Sequence, residues 1–327
     1  MSFPYPVAHR VPLFLAPMAG VSEPPFRLLC RSFGADVVVS EFLSSDGLRR
    51  GIKTVHDGAF FTSAERPIGI QLYGADPAAM AEAAELVHAH YRPDFIDINF
   101  GCPVKKVVKR NGGSGCLKDL SVVQQIIRAV RGATSLPVTV KIRSGWDEAT
   151  RNPVEIGLRC QDAGAQVLTL HPRSRAQLYS GAARWDEIAA VVDALDIPVV
   201  GNGDIRVADD VVRMHAATGC AGVMIARGSF GNPWIFQRAR ALLDRIPARP
   251  EPNAAERFAV ALRHAQLQLD IQGDARRTAI EFRKHLGWYV RGLHGAAELR
   301  RELHTIESMA DVERIFRAYL APERAVG

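Results

Sequence analysis

The chain has 327 residues, room for one large domain or for a large domain with a small one. Its composition, 47% hydrophobic and 23% charged, is that of an ordinary globular protein and excludes a disordered or collagen-like chain. The net charge of +6 tilts toward an anionic partner without defining one.

Five cysteines (Cys30, Cys102, Cys116, Cys160, Cys220) are odd in number and form no CxxC pair, which argues against a disulfide framework or a structural zinc. No apolar run reaches the ~18 residues of a membrane span, and the proline-broken start is no signal peptide. A cytoplasmic protein without membrane or metal partners, acting as a monomer, is expected.

Eight short β-rich runs recur at residues 13–16, 37–40, 68–72, 95–99, 138–142, 166–170, 197–200 and 222–225. Helical stretches lie between them at 76–91, 121–131, 153–163 and 186–195. Asp76-Pro77 and Asn152-Pro153 read as capped, proline-led helix starts. Near-continuous apolar strands alternating with amphipathic helices imply a parallel sheet covered on both sides, and eight units favour a closed (β/α)8 TIM barrel. After Trp234-Ile235-Phe236 the pattern changes. Pro247, Pro250 and Pro252 punctuate a linker, and helical periodicity resumes at 254–272, 275–291, 296–306 and 311–319. The expected division is a barrel over 1–238 and a small C-terminal helical domain over 239–327.

In such a barrel the active site gathers at the C-terminal ends of the strands. Those ends read Ala16-Pro17-Met18-Ala19, Ser40-Glu41, Gln71, Asn99 with Cys102, Lys141 with Arg143, His171 with Arg173 and Arg175, Gly201-Asn202-Gly203-Asp204, and Ala226-Arg227-Gly228. Nearly every strand ends in a hydrogen-bonding or charged group, which a purely structural barrel does not need. The last two ends supply backbone N–H groups and a guanidinium, a phosphate site in the position where this fold recurrently holds one. Gln71, Asn99 and Lys141 converge as ligands for one planar heterocycle, with the lysine suited to an anionic reduced flavin. His171 is open to three roles: phosphate contact, substrate positioning or proton transfer. Arg143, Arg173 and Arg175 are anion ligands beside the mouth.

Cys102 stands apart from the other cysteines. It follows a strand end in Asp97-Ile98-Asn99-Phe100-Gly101-Cys102-Pro103, directly before the basic run Lys105, Lys106, Lys109 and Arg110. Those cations would lower its pKa, yet an acid that delivers a proton must keep it. Cys116, in the same loop, is the fallback.

Taken together these segments resemble the tRNA-dihydrouridine synthases, in particular their bacterial B-type branch. The resemblance rests on Ala16-Pro17-Met18-Ala19-Gly20-Val21, Ile70-Gln71-Leu72-Tyr73-Gly74, the Asn-x-Gly-Cys-Pro motif at Asn99–Pro103, Gly112-Gly113-Ser114-Gly115, Val140-Lys141-Ile142-Arg143, His171-Pro172-Arg173-Ser174-Arg175, Gly201-Asn202-Gly203-Asp204 and Gly231-Asn232-Pro233-Trp234. It implies FMN held by Pro17, Met18, Ala19, Gln71, Lys141, His171, Asn202, Gly203, Asp204, Ala226 and Arg227. It also implies NADPH as reductant and Cys102 as the proton donor that turns a tRNA uridine into dihydrouridine. Asn99, Lys105, Lys106, Lys109, Arg143, Arg173 and Arg175 would meet the RNA or its target base. The competing expectation is an FMN barrel acting on a free pyrimidine or a dihydroorotate-like molecule, which needs neither the basic loop nor the helical tail.

Overall fold

A computed structural model of the chain describes residues 2–321, so the last six residues of the expected helical domain lie outside the described part. Nine strands form one sheet: β1 (Leu13–Leu15), β2 (Val37–Val39), β3 (Leu43–Ser44), β4 (Ile68–Tyr73), β5 (Phe95–Phe100), β6 (Val138–Arg143), β7 (Val167–His171), β8 (Val199–Asn202) and β9 (Gly222–Ile225). All pair in parallel, β1 joins β9, and β2 joins β4, so the sheet closes into the eight-stranded barrel expected. The ninth strand is a departure. Both β2 and β3 pair with β4, so they behave as one strand interrupted at residues 40–42, which brings Phe42 to the mouth of the barrel.

The period-2 alternation of the strands sorts their side chains into two cores. Leu13, Leu15, Ile96, Ile98, Val138, Val140 and Ile142 face outward under the helices. Phe14, Val37, Val39, Phe95, Val167, Val200 and Met224 face inward and fill the lower barrel. Gly69 is required beside Phe95, because a Cβ there would lie 2.1 Å from the ring. Tyr5 stacks on Phe95 at 4.3 Å and plugs the bottom. One pleat higher, the inward positions on five of the strands become Gln71, Asn99, Lys141, His171 and Asn202. The barrel is therefore packed below and polar above.

The proline-led helix starts form as the sequence predicts. Asp76 accepts from Ala78 N–H at 3.1 Å ahead of helix Pro77–His90, and Asn152 from Glu155 N–H at 3.2 Å ahead of helix Pro153–Asp162. Helix Trp234–Leu243 packs on helix Ala208–Thr218 and runs unbroken through residues 238 and 239. The chain leaves the barrel only after it, in the proline-rich stretch.

Helices Ala254–Gln272, Ala275–Tyr289, Ala296–Leu303 and Met309–Leu320 form the C-terminal bundle, closed by Phe258 stacked on Phe316 at 3.9 Å. The bundle docks on barrel helix Pro24–Ser32. Phe26 inserts beside His264 and His285, and Lys284 donates to Glu23 at 2.5 Å. Gly231, at φ 61°, lies against the backbone of Trp288 and Tyr289, where a Cβ would sit 2.5 Å from the nearest atom. Among the described residues no helix is long and apolar enough to cross a membrane, and no cluster of three or more His, Cys, Asp or Glu is placed to hold a metal.

Candidate active site

A cavity of about 1030 Å³ opens at the C-terminal mouth of the barrel. It is lined together by Pro17, Met18, Ala19, Asn99, Cys102, Lys141, Arg143, His171, Asn202, Gly203, Asp204, Ala226 and Arg227. The strand-end reading of the sequence thus converges on one space. Gln71, Lys105, Lys106, Lys109, Arg173 and Arg175 do not line it, and each has a definite place elsewhere.

Gln71 lies fully buried beneath the cavity floor. Its Nε2 donates to Asp97 Oδ2 at 2.6 Å, and its Oε1 accepts from Asn99 Nδ2 at 2.7 Å. Asn99 Oδ1 in turn accepts the N–H groups of Gly101 (3.1 Å) and Cys102 (2.8 Å). The carbonyl of Cys102 accepts from the N–H and the hydroxyl of Ser114. The Cys102 turn is therefore tied at both ends.

Cys102 is 7% exposed on the cavity wall. Burial pushes its thiol up from the ordinary range, against the opposing pull of the Val104 N–H, Arg143 and Lys141. The group is a protonated thiol at neutral pH, as an acid requires. Cys116 is also buried, pushed up to about 12, and its Sγ faces the Asn111 carbonyl at 3.1 Å; it does not line the cavity.

Lys141 makes no ion pair among the described residues. Burial, reinforced by Arg143, lowers its pKa to about 8 despite the attraction of Asp97 and Cys102. A cation held in a cleft without its own counter-ion is a site prepared for an anionic group. Arg143 also forms part of the scaffold: its Nε donates to the Gly101 carbonyl, and its Nη1 to those of Ser174 and Leu178.

Arg173 is 1% exposed, and its donors are used internally. Nε donates to Ser180 O, Nη2 to Gly181 O and to both Asp204 oxygens at 3.0 and 2.8 Å, and Nη1 faces His171 Nε2 at 3.2 Å. An arginine accepts nothing, so His171 Nε2 must be the acceptor and its proton resides on Nδ1. Burial, with Lys141, Arg143, Arg173 and Arg227 nearby, keeps the imidazole neutral by lowering its pKa far below the usual value. A neutral imidazole in this tautomer carries its only N–H donor on Nδ1.

The β8 and β9 ends place two turns of unusual backbone geometry on the cavity wall. Asp204 adopts φ 55° and Gly203 φ 131°; a Cβ on Gly228 would lie 2.4 Å from Ile205 O. Arg227 has no carboxylate partner among the described residues and lies over the Tyr179 ring at 4.5 Å.

The basic run forms a short helix, Lys105–Val108, beside Pro103 and Val104 at the rim, with Lys105, Lys106 and Lys109 exposed. Arg175 packs over Trp146 at 4.3 Å, with Lys118 4.2 Å from the same ring.

Several wall residues carried no sequence signal. Tyr179, 54% exposed, sits on the loop after β7 among the cations, and Phe230, Arg257, Trp288 and Arg291 reach the cavity from its far side. Trp288 stacks on Phe230 at 4.3 Å, across the contact between bundle and barrel.

Comparison with known proteins agrees with this geometry. Residues 14–322 match the family described as dihydrouridine synthase (Dus). The chain is 40% identical over 313 residues to tRNA-dihydrouridine synthase B of Pseudomonas aeruginosa, covering 93% of this chain and 90% of that one. It is 38% identical over 301 residues to the protein of the same name in Vibrio vulnificus (90% and 91% covered). It is 39% identical over 297 residues to the probable tRNA-dihydrouridine synthase 1 of Synechocystis (90% and 82% covered). With the family match running from the first barrel strand to the end of the last helix, the chain belongs to the dihydrouridine synthase family.

Proposed function

We propose that this protein reduces a uridine of tRNA to 5,6-dihydrouridine, using FMN as cofactor and NADPH as reductant. The observation that carries the reading is a buried protonated thiol, Cys102, sharing one cavity with Lys141, which has no ion pair among the described residues, and with the loop Asn202-Gly203-Asp204. The residues fit FMN. Asn202, Gly203, Asp204, Ala226 and Arg227 offer backbone N–H groups and a guanidinium to its phosphate. Pro17, Met18 and Ala19 offer an apolar and backbone surface to the ring, and Lys141 a charge to its anionic edge.

When bound and reduced by NADPH, FMN supplies the hydride that is added at C6 of the uracil. Cys102 donates its proton to C5, completing the two-hydrogen addition, and its raised pKa keeps that proton in place until then. Asn99 holds the thiol's turn, and His171 presents Nδ1–H to a carbonyl in the cavity. The target base must leave its stack to reach a thiol on the cavity wall. Lys105, Lys106, Lys109, Arg175 and the helices from Ala254 onward provide phosphate contacts, making 239–327 the RNA-binding part of a cytoplasmic, monomeric enzyme.

Mapping dihydrouridine by mass spectrometry, in tRNA from cells with and without the gene, tests the reaction. Loss of one modified position is expected. Equal turnover of free uracil, insensitive to salt, would overturn the tRNA reading in favour of a small-molecule substrate. Replacing Lys105, Lys106 and Lys109 by alanine should lower the slope of log affinity against log salt by roughly two to three.

A further inference from the structure

Asp97 is buried and does not line the cavity, yet it stands at the head of the hydrogen-bond chain that ends on the Cys102 turn. Its Oδ1 accepts from Thr139 Oγ1 at 2.5 Å and its Oδ2 from Gln71 Nε2 at 2.6 Å. A carboxylate only accepts, whereas an amide presents a donor at one end and an acceptor at the other. The polarity of the chain therefore has one solution. Gln71 must turn its NH2 toward Asp97 and its oxygen toward Asn99. Asn99 must then turn its NH2 toward Gln71 and its oxygen toward Gly101 and Cys102.

We propose that Asp97 is a positioning residue for the proton donor: through Gln71 and Asn99 it fixes which end of each amide faces the Cys102 turn and which faces the cavity. The amides cannot reverse without placing the Asn99 NH2 against two backbone N–H donors. The same polarity decides what a ligand meets. Asn99 lines the cavity, and its second N–H has no acceptor among the described residues, so it offers a donor to a ring carbonyl. Without the carboxylate only the Gly101 and Cys102 N–H groups still oppose reversal of the two amides, so the reversed arrangement gains population and the turn loses its latch for part of the time.

The proposal deepens the reading of Cys102 as the acid, and its test does not depend on that activity. Hydrogen exchange of the peptide containing Gly101 and Cys102 reports the latch directly, and Pro103 contributes no amide to the signal. In the unaltered protein these amides should be protected; free exchange would overturn the proposal. Asp97→Leu keeps the branched outline of the side chain and removes a buried charge, so a merely structural role predicts a folded, unchanged turn. The relay instead predicts exchange faster by roughly five- to thirtyfold, the worth of one or two such bonds. It also predicts a fall in kcat/KM for product formation.

The double variant Asp97→Asn with Gln71→Glu moves the carboxylate one station along the chain. The amide introduced at position 97 then donates to the new carboxylate and Asn99 still donates to it, so the polarity at the turn is restored. Protection close to that of the unaltered protein is expected. Loss of protection in this double variant, or retention in Asp97→Leu, would refute the relay. If Asp97→Leu fails to fold, the double variant and the unaltered protein still decide the question. Absent tRNA reduction with intact exchange behaviour would count against the proposed function alone.

Discussion

Replacing Arg173 by Met tests the account of the His171 wall most directly. The guanidinium is buried, and it serves the Ser180 and Gly181 carbonyls, His171 Nε2 and both oxygens of Asp204. Methionine keeps an unbranched apolar stem and removes every donor. Asp204 would retain the Ala183 N–H at 2.8 Å and, being 17% exposed, some access to water. Breaking a buried pair from one side costs about 3–5 kcal/mol, and this partial relief places the loss at about 2–4 kcal/mol. That is a large share of the ~5–15 kcal/mol that holds a domain.

Urea unfolding with linear extrapolation measures this loss. The difference should also depend on pH. Against the upward push of burial, the Ala183 N–H and Arg173 hold the Asp204 carboxyl below its ordinary range. Its contribution is therefore present above the unfolded pKa of about 4 and lost as pH falls through the lower folded value. The unaltered protein and the variant should converge in stability in acid. Nitrogen-15 spectra of His171 should meanwhile show the Nδ1–H tautomer in the unaltered protein and a mixture in the variant. A loss below about 1 kcal/mol with an unchanged tautomer would refute the reasoning.

Cys102→Ala should retain FMN uptake and NADPH oxidation while dihydrouridine formation falls by roughly 10²–10⁴, the usual worth of a general acid; normal product yield would remove Cys102 from that role. Lys141→Met should weaken FMN binding, measured by flavin absorbance after dialysis, yet stabilise the cofactor-free protein at pH 7 by about 1–3 kcal/mol, since it deletes a desolvated cation. Because the folded pKa of Lys141 is about 8 and its ordinary value 10.5, the penalty is full below pH 8 and is relieved as pH rises toward 10.5. Charge-dependent ligand binding should weaken over the upward passage through about 8. Gly231→Ala should cost about 1–3 kcal/mol through its left-handed backbone and its contact with Trp288, and should make the stretch after Leu243 more sensitive to proteolysis; unchanged sensitivity would count against this docking point.

Strand runs and proline-led helix starts were legible because they depend on neighbours in the chain: apolar runs bury both faces of a strand, and Asp76 or Asn152 caps a helix that begins within three residues. Strand ends then gather reactive groups by topology alone, which is why Cys102, Lys141, His171 and Arg227 could be assigned to one mouth. Roles were harder to read than positions. Arg173 looks like an anion ligand as a free cation in a sequence, but backbone carbonyls and Asp204 take up its donors, while Arg143 gives its Nε and Nη1 to backbone carbonyls and still lines the cavity. Residues 40–42 interrupt a strand for a reason that lies in pairing with β4, which no local pattern contains.

The sequence by itself thus determined the barrel and the set of reactive groups, since alternation, spacing and strand-end chemistry are properties of a linear string, and its motifs carried the resemblance to the family. Tertiary structure alone decided the protonation and orientation of those groups. Burial keeps the Cys102 proton, Arg173 selects the His171 tautomer, and Asp97 orients two amides, each through contacts between residues far apart in the chain. Trp288 and Arg257 reach the cavity for the same reason: only the docking of the bundle on helix Pro24–Ser32 and on Gly231 brings them there.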